Sequence, residues 1–205
     1  MKHNLIITIG RQLGSGGKLI GEMLSQKLEI PCYDKELILL ASKESGIEKE
    51  AFEQMDEKSR FSFFSNVYSF RSGHMGVSSG NYLTNESLFQ IQSDVIRKLA
   101  EKESCIFVGR CADYILRDNT NLISTFISAN IEDRIQRVAT MQNITHKEAQ
   151  TLIEQTDKKR AGYYNYYSNK TWGMSTSYDI CINSSLLDLE RTAELICEVV
   201  LQKQR

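Results

Sequence analysis

At 205 residues the chain has the length of one domain and is long enough to close a hydrophobic core. Its formal net charge of −1 provides no global basic field, which argues against nucleic acid and membrane surfaces as partners. The five cysteines never form a C-x-x-C pair, and with only three histidines they lack the spacing of a zinc site; they fit reduced core residues.

No apolar run approaches the ~20 residues of a membrane helix, and the short N-terminal run lacks a signal-peptide cleavage site. The expectation is a soluble, cytoplasmic protein. The run Leu5 to Ile9 lacks alternation and is β-branched, as in a strand buried on both faces of a parallel sheet. Gly10, Gly14, Gly16 and Gly17 follow, and then Leu19, Ile20, Met23, Leu24 and Leu28 recur at helical spacing. Strand, glycine-rich turn and helix aim backbone N–H groups and a helix N-terminus at one point, an arrangement suited to phosphate. The match to the Walker A pattern G-x-x-x-x-G-K-[ST] is partial. Counted back from Gly17-Lys18, the first glycine falls on Gln12, and Leu19 replaces the metal-binding hydroxyl. Aligned instead through Gly14-Ser15-Gly16, Gly17 takes the lysine position and Lys18 the serine position. An ordinary glycine-rich turn is the plainer alternative. A dinucleotide fingerprint is another, since Asp34 ends a second apolar run about twenty residues on, although Leu19 stands where a third small residue belongs.

The second strand is expected over Ile30 to Asp34, followed by a helix from Lys35 to Ser45 and a charged helical segment from Glu48 to Lys58. The aromatic stretch Arg60 to Arg71 reads as the private core of a small insertion, a subunit contact or a stacking surface, and Ser72 to Leu83 as a loop. Asn85 caps a helix from Glu86 to Lys102. A third buried strand, Cys105 to Val108, leads into Gly109-Arg110 with Asp113 close behind. Charged residues just past the carboxyl end of a parallel strand stand where open α/β sheets bind ligands; the alternative is a surface ion pair. Asn121 to Ala129 is a fourth strand, and Asn130 caps a helix carrying Asp133, Arg134 and Arg137. The Thr145/Glu148 capping box starts a long helix with Ala149, Leu152 and Ile153 inward. Its later part joins Lys158, Lys159 and Arg160 to four tyrosines, readable as a basic lid, a solvated helix face or a single-strand nucleic-acid platform. Tyr178 to Asn183 is the last strand, and a closing helix from Ser185 to Lys203 turns Leu189, Ala193, Ile196, Val199 and Val200 inward. Alternating strands and helices without a hairpin signal give a three-layer parallel α/β sheet.

Five stretches, in this order, resemble the cytidylate kinase-like family of P-loop nucleoside monophosphate kinases: Ile9-Gly-Arg-Gln-Leu-Gly-Ser-Gly-Gly17, Pro31-Cys-Tyr-Asp-Lys-Glu-Leu37, Val108-Gly-Arg-Cys-Ala-Asp-Tyr-Ile-Leu116, Asp157-Lys-Lys-Arg-Ala-Gly-Tyr-Tyr164 and Tyr178-Asp-Ile-Cys-Ile-Asn-Ser184. The resemblance implies a single P-loop NTPase domain over residues 1–205, with an acceptor-binding insertion at about 35–100 and a lid at about 145–175. It implies an ATP-dependent phosphotransferase acting on a nucleoside monophosphate or related small acceptor, with Mg²⁺ held mainly through phosphates and water. Gly14, Ser15, Gly16 and Gly17 would cradle the donor phosphates with Arg11 and Lys18. Asp34, Arg110 and Asp113 would face the acceptor, while Asp157, Lys158, Arg160 and Tyr164 fall in the lid; Lys18, Lys158 and Arg160 would act on the transferred group. The chain departs from the family at Gly17-Lys18, where a Lys-Ser pair is expected, and in its lysine-rich lid. A nucleotide-binding module without turnover and a dinucleotide-binding oxidoreductase therefore stay open as readings. No nucleic-acid or membrane partner is expected, and a homo-oligomer is compatible with the sequence.

Overall fold

The computed structural model describes residues 4–34 and 85–203. The expected helices at 35–45 and 48–58, the aromatic stretch 60–71 and the loop 72–83 lie outside the described residues. The chain divides into two compact units, Met1–Asp34 with Arg97–Arg205, and Lys35–Ile96.

The first unit is built on a parallel sheet of β1 (Ile6–Arg11), β2 (Cys32–Tyr33), β3 (Cys105–Val108), β4 (Leu122–Ser128) and β5 (Ile180–Asn183), in the order β2-β3-β1-β4-β5. Every pairing is parallel: Ile6 stands opposite Cys105 on one side and Leu122 on the other, Cys32 opposite Ile106, and Thr125 opposite Ile180. Burial on both faces explains the unbroken apolar runs of β1 and β3. On one face Ile7, Ile9, Ile106, Val108, Ile123 and Ile127 pack with Ile20 and Leu24 of α1 (Gly17–Leu28) and with Ala193, Ile196 and Val200 of the last helix. On the other, Phe107 stacks on Tyr33 with centroids 5.7 Å apart, and Phe126 meets Trp172 and Tyr178 at 5.1 and 5.0 Å.

Among the described residues the remaining helices are α2 (Asn85–Lys102), the single turn α3 (Ala112–Ile115), α4 (Ile131–Gln142), α5 (His146–Ser168) and α6 (Leu189–Lys203), with a 3₁₀ turn at Ser175–Ser177. Asn85, expected as a cap, is the first helical residue of α2. The end of α2 is tied to the start of the chain by Asn4 Nδ2, which donates to the Ala100 and Glu101 carbonyls at 3.0 and 2.9 Å. The Thr145/Glu148 box opens α5 with both reciprocal bonds present. Asn130 holds the cap position of α4 without capping it; its Oδ1 accepts instead from Asn183 Nδ2 at 3.0 Å. Two residues expected inward lie at the surface: Leu152 is 36% and Val199 37% exposed. Each is one position, hence about 100° of helical turn, from the residue that fills the seam, Ile153 and Val200 respectively. Among the described residues no helix is long and apolar enough to cross a membrane.

Candidate active site

β1 ends at Arg11, residues 12–16 form a turn, and α1 begins at Gly17. From β1 the chain passes outward to β2 and back to β3 on one side, then to β4 on the other. The carboxyl end of β1 is thus a topological switch point, the place where open α/β sheets leave a crevice. Gly14 and Gly16 adopt left-handed backbone with φ of 78° and 79°. At Gly14 a side chain is also excluded by space, since a Cβ would lie 2.7 Å from the Arg134 carbonyl oxygen.

The loop is fastened through its carbonyls. Arg160 Nη1 donates to Arg11 O at 3.0 Å, Ser15 Oγ to Gln12 O at 2.9 Å and Arg134 Nε to Leu13 O at 2.7 Å. Arg137 Nη1 donates to Gly14 O at 3.0 Å and Ser184 Oγ to Ser15 O at 2.7 Å. Asp157 completes the clamp, with Oδ1 accepting from Leu13 N at 2.8 Å and Oδ2 bonded to Arg134 Nη2. Gly16 O accepts from Ile20 N at 2.9 Å and begins the helical ladder. The N–H groups of Gly17, Lys18 and Leu19 precede that ladder and have no intrahelical acceptor, which concentrates partial positive charge at the mouth of the turn.

Two cations border this mouth. Arg11 Nη2 lies 3.2 Å from Asp34 Oδ1, both side chains being 18% exposed. Lys18 Nζ lies 3.8 Å from Asp34 Oδ2 and 3.8 Å from Glu22 Oε1, with its side chain half-exposed. Burial, and to a smaller degree the charge of Arg110, lowers the Arg11 pKa, while Asp34 pulls it back up. Past β3 the backbone takes three successive left-handed residues, Gly109, Arg110 and Cys111, at φ of 80°, 61° and 55°. This is costly for the two non-glycine residues, and such geometry clusters where function over-determines the backbone.

Residues 6–186 match the model of the cytidylate kinase-like family. The chain belongs to the cytidylate kinase-like family. An uncharacterized protein from Eubacterium ventriosum is 31% identical over 96% of this chain and 98% of its own, with a TM-score of 0.71. Shikimate kinase from Bacteroides thetaiotaomicron is similar in fold at 14% identity, covering 96% of this chain and 98% of that one, with a TM-score of 0.54. Shikimate kinase from Acinetobacter baumannii, solved with shikimate, is 12% identical over 98% and 94% of the two chains, with a TM-score of 0.52. No curated protein matches the sequence. The fold is that of the P-loop kinases. It overturns the dinucleotide reading, because β3 rather than β2 lies beside β1, whereas the dinucleotide fold places its second strand there.

Within this kinase-like frame the expected site residues fall into three groups. Arg11, Gly14, Ser15, Gly16, Gly17, Lys18, Asp34 and Arg110 lie at or beside the carboxyl ends of β1, β2 and β3. Asp157 and Arg160, expected in a lid, are bonded to the loop itself, and Lys158 stands exposed between them on α5. Asp113 and Tyr164 form a buried pair, Tyr164 Oη donating to Asp113 Oδ2 at 2.7 Å with the Tyr164 ring 5.7 Å from that of Tyr178. Burial raises the Asp113 pKa against the opposing effect of the Tyr164 bond, and burial and the neighbouring carboxylate raise that of Tyr164. Sequence reading assigned no role to Gln12, Arg134, Arg137 or Ser184. The one available signal was the i, i+3 spacing of Arg134 and Arg137 on a single helix face. Among the described residues no group of three or more His, Cys, Asp or Glu is arranged to hold a metal ion, and Lys18 takes the place of the Walker hydroxyl in the Gly14-Ser15-Gly16 alignment.

Proposed function

We propose that this protein transfers the γ-phosphoryl group of Mg·ATP to a nucleoside monophosphate, cytidylate-like, or to a related small acceptor. The observation that carries the reading is the fastened loop. Five successive carbonyls, from Arg11 to Ser15, accept side-chain hydrogen bonds, which favours N–H groups pointing toward an incoming phosphate. In the reaction an acceptor oxygen forms a bond to the γ-phosphorus as the bond to the β,γ-bridging oxygen breaks, and that electron pair leaves on ADP. The residues position the partners and neutralise charge; a loose transition state asks for little else. Gly14, Ser15, Gly16 and Gly17 hold the donor phosphates, with Arg11 and Lys18 as flanking cations. Asp34, Arg110 and Asp113 belong to the acceptor side, and Lys158 and Arg160 to the transferred group.

Gly17 at the lysine position favours a second reading, a nucleotide-binding module without turnover. Thermal unfolding with Mg·ATP, CMP, dCMP, NADH and a short single-stranded oligonucleotide, each alone, tests the proposal. A ligand at 100 times its Kd adds ~2.7 kcal/mol, which moves the midpoint by several degrees. Stabilisation by Mg·ATP and by a pyrimidine monophosphate, followed by ADP release in a turnover assay, is the expected result. Stabilisation without turnover supports the second reading, and stabilisation by neither nucleotide removes both.

A further inference from the structure

We propose that Arg11 supplies the phosphate-facing charge that a lysine supplies in a Walker A loop, so that this loop carries its cation and its glycine in exchanged positions. The inference rests on the phosphoryl-transfer reading above. In G-x-x-x-x-G-K the first glycine and the lysine bracket the loop. With Gly16 as the second glycine, the bracketing positions are Arg11 and Gly17. A cation stands where the pattern has glycine, and glycine stands where it has the cation.

The geometry shows why the two departures need one another. A Cβ at Gly17 would lie 2.5 Å from Arg11 Cβ and 3.1 Å from its Cγ. These are stem atoms fixed to the end of β1, and they cannot swing aside as a side-chain tip can. An arginine stem at 11 therefore excludes a lysine stem at 17, and it runs past the first residue of α1, where that lysine would begin. Beyond the stem, Nη2 reaches Asp34 Oδ1 at 3.2 Å. Nη1 lies against Gly109, in space that a side chain at 109 would need. The guanidinium thus ends among the carboxyl ends of β1, β2 and β3, between the glycine turn on the donor side and Arg110 on the acceptor side. Asp34 anchors one arm of the fork, and a guanidinium offers phosphate oxygens several donors in one plane. Lys18 is less suited to the task. It follows the lysine position by one residue, its side chain is 53% exposed, and its Nζ is shared between Glu22 and Asp34.

The test is a cycle of the wild type, Arg11→Gly, Gly17→Lys and the double variant. Binding of inorganic tripolyphosphate and of Mg·ATP is measured by calorimetry, alongside the thermal midpoint. Arg11→Gly is expected to weaken tripolyphosphate about 10- to 100-fold, the scale of losing a hydrogen bond between charged groups. Gly17→Lys alone is expected to weaken it too and to lower the midpoint, because the stems collide. The double variant restores the Walker order and is expected to recover binding to within about 10-fold of wild type, the scale of the one hydrogen bond that Asp34 has lost. A double variant that binds no better than Arg11→Gly makes Arg11 a structural partner of Asp34 and overturns the inference while leaving the kinase reading in place. A wild type that binds neither ligand removes both together. If the double variant does not fold, Arg11→Met, which keeps the stem without the charge, is compared with Arg11→Lys. Loss of binding in the first and retention in the second supports the inference; equal binding overturns it.

Discussion

Replacing Asp157 with alanine measures how firmly α5 holds the loop. Asp157 accepts from Leu13 N at 2.8 Å and pairs with Arg134, which in turn donates to Leu13 O at 2.7 Å. The Asp157 and Arg134 side chains are 15% and 7% exposed. A buried pair of this kind contributes little net stability over a well-packed apolar pair, yet removing one member strands the other. An uncompensated buried charge costs about 3–5 kcal/mol. At ~2–4 °C per kcal/mol for a chain of this size, the midpoint should fall by roughly 6–20 °C. Asp157→Ala combined with Arg134→Met leaves no orphaned charge and should lose less than Asp157→Ala alone, with a coupling energy of at least about 2 kcal/mol. The assay is urea and thermal unfolding of the wild type, both single variants and the double variant, without ligand and at fixed ionic strength. Refutation would be a loss under about 1 kcal/mol for Asp157→Ala, or strict additivity of the two changes.

Asp113 makes stability depend on pH. Its pKa is raised above the ordinary 3.8 by burial, so the folded state keeps a proton that the unfolded chain releases. The contribution is full below pH 3.8 and is lost as pH rises toward the folded pKa. Asp113→Asn should therefore gain on the wild type in melts taken from about pH 4 to about pH 7, and a constant difference across that range would argue against a raised pKa. Gly109→Ala places a side chain in left-handed backbone at about 1–2 kcal/mol and takes the space of Arg11 Nη1; calorimetry should show weaker tripolyphosphate binding beyond any loss of folded fraction, and unchanged binding would dismiss the contact. Burial pushes the Cys105 thiol up to about 12 and raises that of Cys111, whereas Cys181 is exposed on β5. Native alkylation followed by peptide mass spectrometry should find Cys181 modified ahead of both buried thiols, and the reverse order would contradict their burial.

The sheet was legible because a parallel strand buried on both faces is written in consecutive apolar residues: Leu5 to Ile9 and Cys105 to Val108 could hardly be anything else. The strand order was not, since nothing in the local sequence states which strand lies beside β1. The glycine turn announced itself through composition, and the Thr145/Glu148 box through spacing. The clamp behind the turn stayed hidden because its members are far apart in sequence and each looks ordinary alone. The family resemblance puts Asp157 in a lid; that it braces the loop shows only where it meets Leu13 N, 144 positions away. Asn130 shows the converse case, a residue in a capping position whose side chain was claimed by Asn183 from a distant strand.

A phosphate loop usually owes its shape to its own glycines. In this protein much of the shape of residues 11–15 is imposed by side chains from α4, α5 and the turn after β5. The entropy of ordering the turn is therefore lost when the chain folds, before any anion arrives. A ligand entering such a cradle finds its donors already aligned, so association proceeds without a loop-ordering step. The same external support frees the loop's own sequence to drift, which is how Gln12 and Leu13 can stand in a turn that keeps its conformation without a glycine at either position.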